Sequence, residues 1–506
     1  FAIPDISFYN RQHELYPLSL IKSDKTKKHT FVKAPTGSGK TDFLLKRCMG
    51  RVFYTLPFQA SINAMYERVC RDLNGKVDDI RILHSISRLI IDDKNRLEEK
   101  VIQDKFGSSI KILTPHQLAS IVFGTKGYES ILFDLQGCDI ILDEIHTYSD
   151  MMQSIVLKMV EILNNVNCHI HIGTATMPTP LEHAILNILD KDEIQYVSLE
   201  NEILETFNRH IVYKGNSFDD FLPQLNNALQ ADQKVLLVCN RVKNAQSLYG
   251  RMVELYPDVD KMLIHSRFKR KDRNRLEKDL KEVFNRSTEA CIVVSTQVVE
   301  VSLDISFDLM ITETAPVDAL IQRFGRINRA RVEKAKRNYK SVCVIASPEK
   351  EGDCKPYSKE VLKRSYEALP DNQILDERNL QQLIDLVYPQ IEIIDIDLDT
   401  VFADTIWRIK ELQHNPKSAL LEKLDIDSVA CVTQADVEDY KEVTSDEKRM
   451  LEIPASYNSV RWKSLDRIND KGTNPYIVPD KAYNENEGLD INLLSPGNYN
   501  VEYQML

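Results

Sequence analysis

The chain predicts an α/β protein with two tandem doubly wound parallel-sheet domains and a C-terminal accessory region. Three observations predict it. Short apolar runs alternate with helical stretches from Phe1 to about Val197. A glycine-bearing loop, Ala34-Pro35-Thr36-Gly37-Ser38-Gly39-Lys40-Thr41, joins the strand-like run Thr30–Lys33 to the start of a helix. A second alternating unit, from about Arg209 to Ser347, repeats the pattern without such a loop. Buried strands alternating with helices are the signature of a parallel sheet covered on both faces.

In order, the first unit's strands are expected at Thr30–Lys33, Arg51–Thr55, Ile80–Leu83, Ser109–Leu113, Asp139–Leu142 and His169–Gly173. Ser198–Asn208 is polar and suits a linker. The second unit's strands are expected at Lys234–Cys239, Lys261–Ile264, Ala290–Ser295, Leu309–Thr312 and Ser341–Ile345. Beyond Pro348, Tyr357–Leu369 and Asp376–Val387 read as helices, and the tail from Ser445 is rich in Asn, Asp and Tyr. The expected division is 1–200, 201–350 and 351–506.

Composition bounds what such a protein can do. At 506 residues with 43% hydrophobic content, the chain can bury two or three cores. The formal net charge of −11 argues at first against a nucleic-acid partner. Net charge says little about local patches, however, and basic residues cluster in Lys22–Lys33, Arg267–Arg286 and Arg323–Lys340. The nine cysteines form no C-x-x-C pair, which points to a reducing, cytoplasmic setting without structural zinc. No apolar run approaches membrane-spanning length, so no membrane partner is expected.

Three segments carry chemistry. The loop Ala34–Thr41 between strand and helix is a phosphate cradle: glycines let backbone N–H groups converge on an anion, and the helix N-terminus adds its dipole. Pro35, Thr36, Gly37, Ser38 and Gly39 form the wrap, Lys40 reaches the β- and γ-phosphates of ATP, and Thr41 meets Mg²⁺. Next, Asp139-Ile140-Ile141-Leu142-Asp143-Glu144 is an apolar strand ending in two acids at the carboxyl edge of a sheet. Asp143 suits Mg²⁺, and Glu144 suits activation of the attacking water. Third, in Gln322-Arg323-Phe324-Gly325-Arg326-Ile327-Asn328-Arg329, Arg326 and Arg329 share a face if the segment is helical. Their forks would meet the γ-phosphate from the second domain, making Lys40, Asp143, Glu144, Gln322, Arg326 and Arg329 the expected catalytic set.

Together with Thr174-Ala175-Thr176, these segments resemble the motifs of superfamily 2 DExH helicases, whose paired domains are RecA-like. The closer similarity is to the CRISPR-associated helicase of type I systems, the helicase part of a helicase-nuclease. The stretches 54–66, 295–308 and 315–318 carry that finer resemblance. It covers about Tyr9 to Ser347 and is weaker near Tyr476–Pro479 and Tyr483–Leu489.

The resemblance implies further roles. Gln12, after Arg11 and near Phe8 and Tyr9, resembles a glutamine that reads adenine. Asp304 resembles an acid contacting the nucleotide, and Thr174, Thr176 and His146 resemble the link between nucleotide state and domain movement. Strand-contacting positions would be Pro57, Gln59, Thr114, Asn240, Arg241, His265, Ser266 and Thr296, although each is also an ordinary turn or cap residue. The implied partners are single-stranded DNA and an RNA-guided type I surveillance complex, with 3′ to 5′ movement along the displaced strand. The family enzyme also carries a histidine-aspartate (HD) metal nuclease. No His-Asp dipeptide occurs here, so the DNA-cutting function is expected to be absent, truncated away or held by another subunit. His169 and His171 alternate on one strand face, and a strand leading into Thr174–Thr176 is the simpler reading than a metal pair. Two other readings remain open on sequence: a general superfamily 2 motor acting on RNA or repair intermediates, and a nucleotide-gated scaffold that docks a nuclease.

Overall fold

The computed structural model describes residues 3–56, 59–73, 80–82, 109–113, 115–125, 128–144, 150–300, 305–329, 338–396, 400–403, 406–407, 428–469 and 474–494. Two seven-stranded sheets organise them. The first contains β1 (His29–Lys33), β2 (Val52–Thr55), β3 (Ile80–Ile82), β4 (Ile110–Leu113), β5 (Asp139–Asp143), β6 (His169–Thr174) and β7 (Ile194–Ser198). Their order is β3-β4-β2-β5-β6-β1-β7, and every pairing is parallel. Parallel strands covered on both faces are continuously apolar, and β5 shows why. Its Ile140 and Leu142 enter one core while Ile141 enters the core on the opposite face.

The second sheet contains β8 (His210–Gly215), β9 (Lys234–Val238), β10 (Asp260–Ile264), β11 (Cys291–Ser295), β12 (Leu309–Glu313), β13 (Lys340–Ile345) and β14 (Gln373–Ile374). The order is β10-β11-β9-β12-β13-β8-β14, parallel except for the antiparallel edge strand β14. In β9, Leu236 and Val238 face one core and Val235 and Leu237 the other. Because β14 joins this sheet, and Leu369, Leu380, Ile384 and Val387 enter its core, the packing of the second unit continues past residue 350.

The connection between the sheets is more ordered than its polar composition suggests. Residues Asn201–Leu204 form a helical turn, Glu205–Phe207 a 3₁₀ turn, and Phe207 is fully buried in the first domain. A second crossing returns after β14. Thr179 donates from its backbone N–H and its hydroxyl to the Asp385 carboxylate at 2.9 and 2.8 Å, and Gln381 donates to the Met177 carbonyl at 3.0 Å. Further on, Ile394 N–H bonds Ser154 Oγ, Val401 N–H bonds the Val122 carbonyl, and Ile396, Val401 and Phe402 enter the first domain's core. A small three-stranded sheet then forms from 428–433, 453–456 and 476–478. The hairpin 483–484/488–489 docks beside β10, where Leu489 N–H bonds the Arg267 carbonyl at 2.8 Å. No described helix is long and apolar enough to cross a membrane.

Candidate active site

The loop after β1 turns through Gly37 (φ 85°) and Gly39 (φ 95°), left-handed conformations that glycine adopts at no steric cost. The helix Lys40–Arg47 starts directly behind it. Tyr16 and Leu18 brace the loop: Leu18 N–H bonds the Ser38 carbonyl, and a Cβ on Gly39 would stand 3.3 Å from Tyr16 Cβ. Lys40 Nζ donates to the Ala34 carbonyl at 3.1 Å and pairs with Glu144 Oε1 at 3.0 Å. Gln12 is exposed on the segment leading to this brace.

The two acids leave β5 at the same sheet edge. Tyr54, from the end of β2, donates to Asp143 Oδ2 at 2.6 Å, and both groups are buried. Burial pushes the Asp143 carboxyl up to about 6; the Glu144 charge adds to that, while Lys40 and Tyr54 oppose it. Asp143 Oδ1 and Ser38 Oγ are buried without hydrogen-bond partners among the described residues. Glu144 sits in the left-handed region (φ 58°), costly for a residue with a Cβ. Its N–H is held by the Gly173 carbonyl at 2.9 Å, and its Oε2 lies 3.5 Å from the Ala175 N–H. The segment after β6 thereby meets the acids, and the Thr174 carbonyl accepts from the Ala34 N–H at 3.0 Å. Thr176 N–H bonds Thr174 Oγ1 at 3.1 Å. Lys40, Asp143, Glu144 and Thr174–Thr176 are thus brought together, with Tyr54 added. In sequence Tyr54 reads as a strand residue opening the 54–66 resemblance, with no role in the site.

The second domain reaches the same loop. A Cβ on Gly325 would lie 3.2 Å from Thr36 Oγ1, and Arg209 Nη2 donates to that hydroxyl at 2.8 Å. The expected shared helical face of Arg326 and Arg329 is corrected here. The helix is Val317–Phe324, Gly325 closes it, and Asn328 turns left-handed (φ 52°), so the two arginines lie beyond a helix rather than on one. Arg326 is buried and donates to the Val299 and Glu300 carbonyls at 2.7 and 2.8 Å, tying its loop to the preceding one. Arg329 N–H is held by Ser306 Oγ at 3.0 Å. Gln322 is buried on the helix.

Arg323 organises this edge. Fully buried, it pairs with Glu300 at 2.8 Å and bonds Thr312 Oγ1, the Glu313 carbonyl and Asn240 Oδ1. Burial pushes the Glu300 carboxyl up, and Arg323 pulls it back.

The second-domain positions expected to contact a nucleic-acid strand follow β9, β10 and β11, which are neighbours in the sheet, so they do line one carboxyl edge. Their side chains differ. Ser266 is exposed, and Arg241 pairs with Asp353 at 2.9 Å. Thr296 is buried. Asn240 spends its side chain on Arg323 and the Thr314 carbonyl. His265 is fully buried; its Nδ1 faces the Arg267 N–H at 3.1 Å and its Nε2 the Glu487 carbonyl at 2.9 Å. In this conformation Asn240 and His265 therefore hold protein, not a strand, because the docked hairpin and Arg323 use their polar atoms. Pro57, Thr114, His146 and Asp304 lie outside the described residues, and of Gln59 only its place at the start of the helix Gln59–Asp72 is described.

Among the described residues, Cys48, Asp139 and His171 place ligand-type atoms within 4.8 Å of one another. Each acceptor there has protein partners. Asp139 takes the Met49 and Gly50 N–H groups and His171 Nε2, and His171 Nδ1 meets Thr30 Oγ1. This is a hydrogen-bond network closing the sheet's other end, in keeping with the strand reading of His169 and His171.

Two family models match this chain, one in each sheet domain. The DEAD/DEAH box helicase family matches residues 10–184, and the C-terminal family of the CRISPR-associated nuclease/helicase Cas3 matches residues 231–332. A CRISPR-associated nuclease/helicase Cas3 of Methanothermobacter thermautotrophicus is 30% identical over 429 residues, covering 79% of this chain and 49% of its own. The chain spans about half the length of the curated relatives it matches. Among solved structures, T. fusca Cas3 with AMPPNP shares the fold at a TM-score of 0.66 and 18% identity, over 96% of this chain and 69% of that one. A chain of a CRISPR RNA-guided surveillance complex in a pre-nicking state shares it at 0.61 and 17%, over 92% and 68%. Residues 10–184 thus carry the pattern of the DEAD/DEAH box helicase family and residues 231–332 that of the Cas3 C-terminal family, and the two RecA-like domains share the fold of CRISPR-associated Cas3.

Proposed function

We propose that this chain is the ATP-driven motor of a type I CRISPR interference system. It moves 3′ to 5′ along the DNA strand displaced by an RNA-guided surveillance complex and delivers it to an HD nuclease located elsewhere. The observation that carries the reading is the convergence on one loop of Lys40, the Asp143–Glu144 pair and, from the other domain, Gly325 and Arg209. A site shared by two domains is one whose chemistry depends on their relative position, which is what a motor requires. The proposed units are 1–200 for the nucleotide-binding domain, 201–350 for the body of the second motor domain, and 351–506 for linker helices and the accessory region, of which the stretch to Val387 completes the second domain's sheet and core.

ATP would lie against Pro35–Thr41, with Gln12 toward adenine, Asp304 toward the ribose and Lys40 on the β- and γ-phosphates. Asp143 Oδ1 and Ser38 Oγ, oxygens without hydrogen-bond partners among the described residues, suit a hard cation together with the Thr41 hydroxyl. Thr41 and Asp143 would hold Mg²⁺, which when bound neutralises charge on the phosphates. Glu144, held by Gly173 and Ala175, accepts the proton of the attacking water. Tyr54 fixes the orientation of Asp143. Gln322, Arg326 and Arg329 complete the site from the second domain; Arg326 acts through the loop it anchors. Single-stranded DNA would cross the carboxyl edges along Pro57, Gln59, Thr114, Arg241, Ser266 and Thr296, and would reach Asn240 and His265 only where Arg323 and the docked hairpin release them. Contacts of this kind go mainly to phosphate and sugar, so affinity falls steeply with salt.

Strand-specific unwinding with ATP tests the reading, run with and without the guide complex and with DNA or RNA of equal length. DNA-stimulated turnover lost in Lys40→Ala and in Glu144→Gln, the latter still binding ATP, is the expected result. Equal stimulation by RNA, or normal turnover in Glu144→Gln, would overturn it.

A further inference from the structure

Arg209 stands immediately before β8, and nothing in its sequence surroundings marks it. We propose that it is a nucleotide-phosphate ligand, a positively charged fork mounted on the second domain that completes the anion site built by the phosphate loop of the first. The proposal rests on the reading that Ala34–Thr41 binds ATP.

Arg209 is 8% exposed. Nη2 donates to Thr36 Oγ1 at 2.8 Å and lies 3.5 Å from the Thr36 carbonyl. Nε and Nη1 are buried with no hydrogen-bond partner among the described residues. A buried cation with unspent donors is costly, and proteins ordinarily give such a group a carboxylate or another anion. Burial lowers the Arg209 pKa; the Glu377 charge offsets this in part, and the Arg329 charge works against it. Two arginines of one domain therefore bear on one another's charge beside a loop shaped for polyphosphate. An anion entering there relieves both the repulsion and the unmet donors.

The mounting is rigid. The Arg209 carbonyl accepts from Lys340 N–H at 3.0 Å, and the next residue, His210, bonds the Ile327 carbonyl through Nε2 at 3.0 Å. Arg326 contrasts with it, since its Nε and Nη2 already hold the Val299 and Glu300 carbonyls. Gly325 lets Thr36 come close enough for Arg209 to reach it, because any Cβ there would press on Oγ1 at 3.2 Å. Arginine's planar fork suits two phosphate oxygens at once, and lysine's point charge does not.

Arg209→Met and Arg209→Lys test the assignment, with Lys40→Ala alongside. AMPPNP affinity is measured by titration calorimetry on the whole chain, and melting temperature with and without nucleotide. The expected result is an affinity roughly 10- to 100-fold weaker in Arg209→Met, with the nucleotide-free melting temperature unchanged or higher. Arg209→Lys should recover only part of the loss. A contact that merely pins Thr36 predicts the opposite pattern: a lower melting temperature with affinity within about twofold, and that overturns the proposal. If Lys40→Ala also binds as the parent does, the phosphate-loop reading fails and takes this proposal with it.

Discussion

Acidification should destabilise this protein well above the pH at which carboxylates titrate. His29, His210 and His265 are buried, and burial, as the largest cause, pushes each imidazole from 6.5 down to about 3. Their bonding explains why they stay neutral. His29 Nδ1 accepts the Ile170 N–H and His265 Nδ1 the Arg267 N–H, so a proton there would set donor against donor. The folded protein therefore refuses protons that the unfolded chain takes up below about pH 6.5, and stability falls as pH falls. Between pH 7 and 5.5 the loss is about 1.2 kcal/mol per histidine, roughly 4 kcal/mol for the three, set against typical totals of about 5–15 kcal/mol. Asp143, raised to about 6, works in the opposite direction by less than one histidine. Proton uptake on unfolding, measured calorimetrically at pH 5.5 in buffers of different ionisation enthalpy, isolates each residue. His265→Asn, which keeps a donor and an acceptor, should lower the uptake by about 0.9 proton. Uptake equal to the parent's would refute the argument for His265, and a parent unchanged in stability between pH 7 and 5.5 would refute it altogether.

Other outcomes follow from the packing. Arg323→Met strands Glu300 as an unpaired buried acid and should cost about 3–5 kcal/mol, read as faster hydrogen exchange in β11 and β12; a change below about 1 kcal/mol would deny Arg323 its organising role. Gly173→Ala drives a Cβ to 2.6 Å from Leu44 Cδ1 and 3.4 Å from Asp143 Oδ1, so a loss of about 1–3 kcal/mol in urea unfolding is expected, together with weaker ATP turnover. Asp385→Ala removes both bonds to Thr179 and should raise exchange in the helix Thr179–Ile188 without altering exchange in β9.

What could be read in advance follows the range of the interactions involved. β5 and β9 are legible because both faces are buried, leaving uninterrupted apolar runs. The phosphate loop and the acid pair are legible because strand, turn and helix are contiguous there. The edge strand β7 is buried only at Ile194 and Val197, and β14 is two exposed residues, so neither carries that signal. Arg209 is invisible in sequence because its meaning lies in Thr36, 173 positions away. The helical spacing drawn for Arg326 and Arg329 fails at Gly325, where the chain turns so that Arg326 can hold the Val299–Glu300 carbonyls. His265 has the residue type and place of a strand contact, yet only the folded hairpin reveals what occupies its ring nitrogens.

Among the described residues, two stretches join the bodies of the sheets: Asn201–Phe207, and the return where Thr179 grips Asp385 and Val401 meets Val122. The two joints adjoin, since Asn208 bonds Asp376 and the Glu377 N–H just ahead of Asp385, and bodies joined there keep the freedom to swing about that region. Like a door on its hinge, the lobes would trade distance at the free rim for angle, so that a small turn near Phe207 and Asp385 becomes a larger stroke at the far lip.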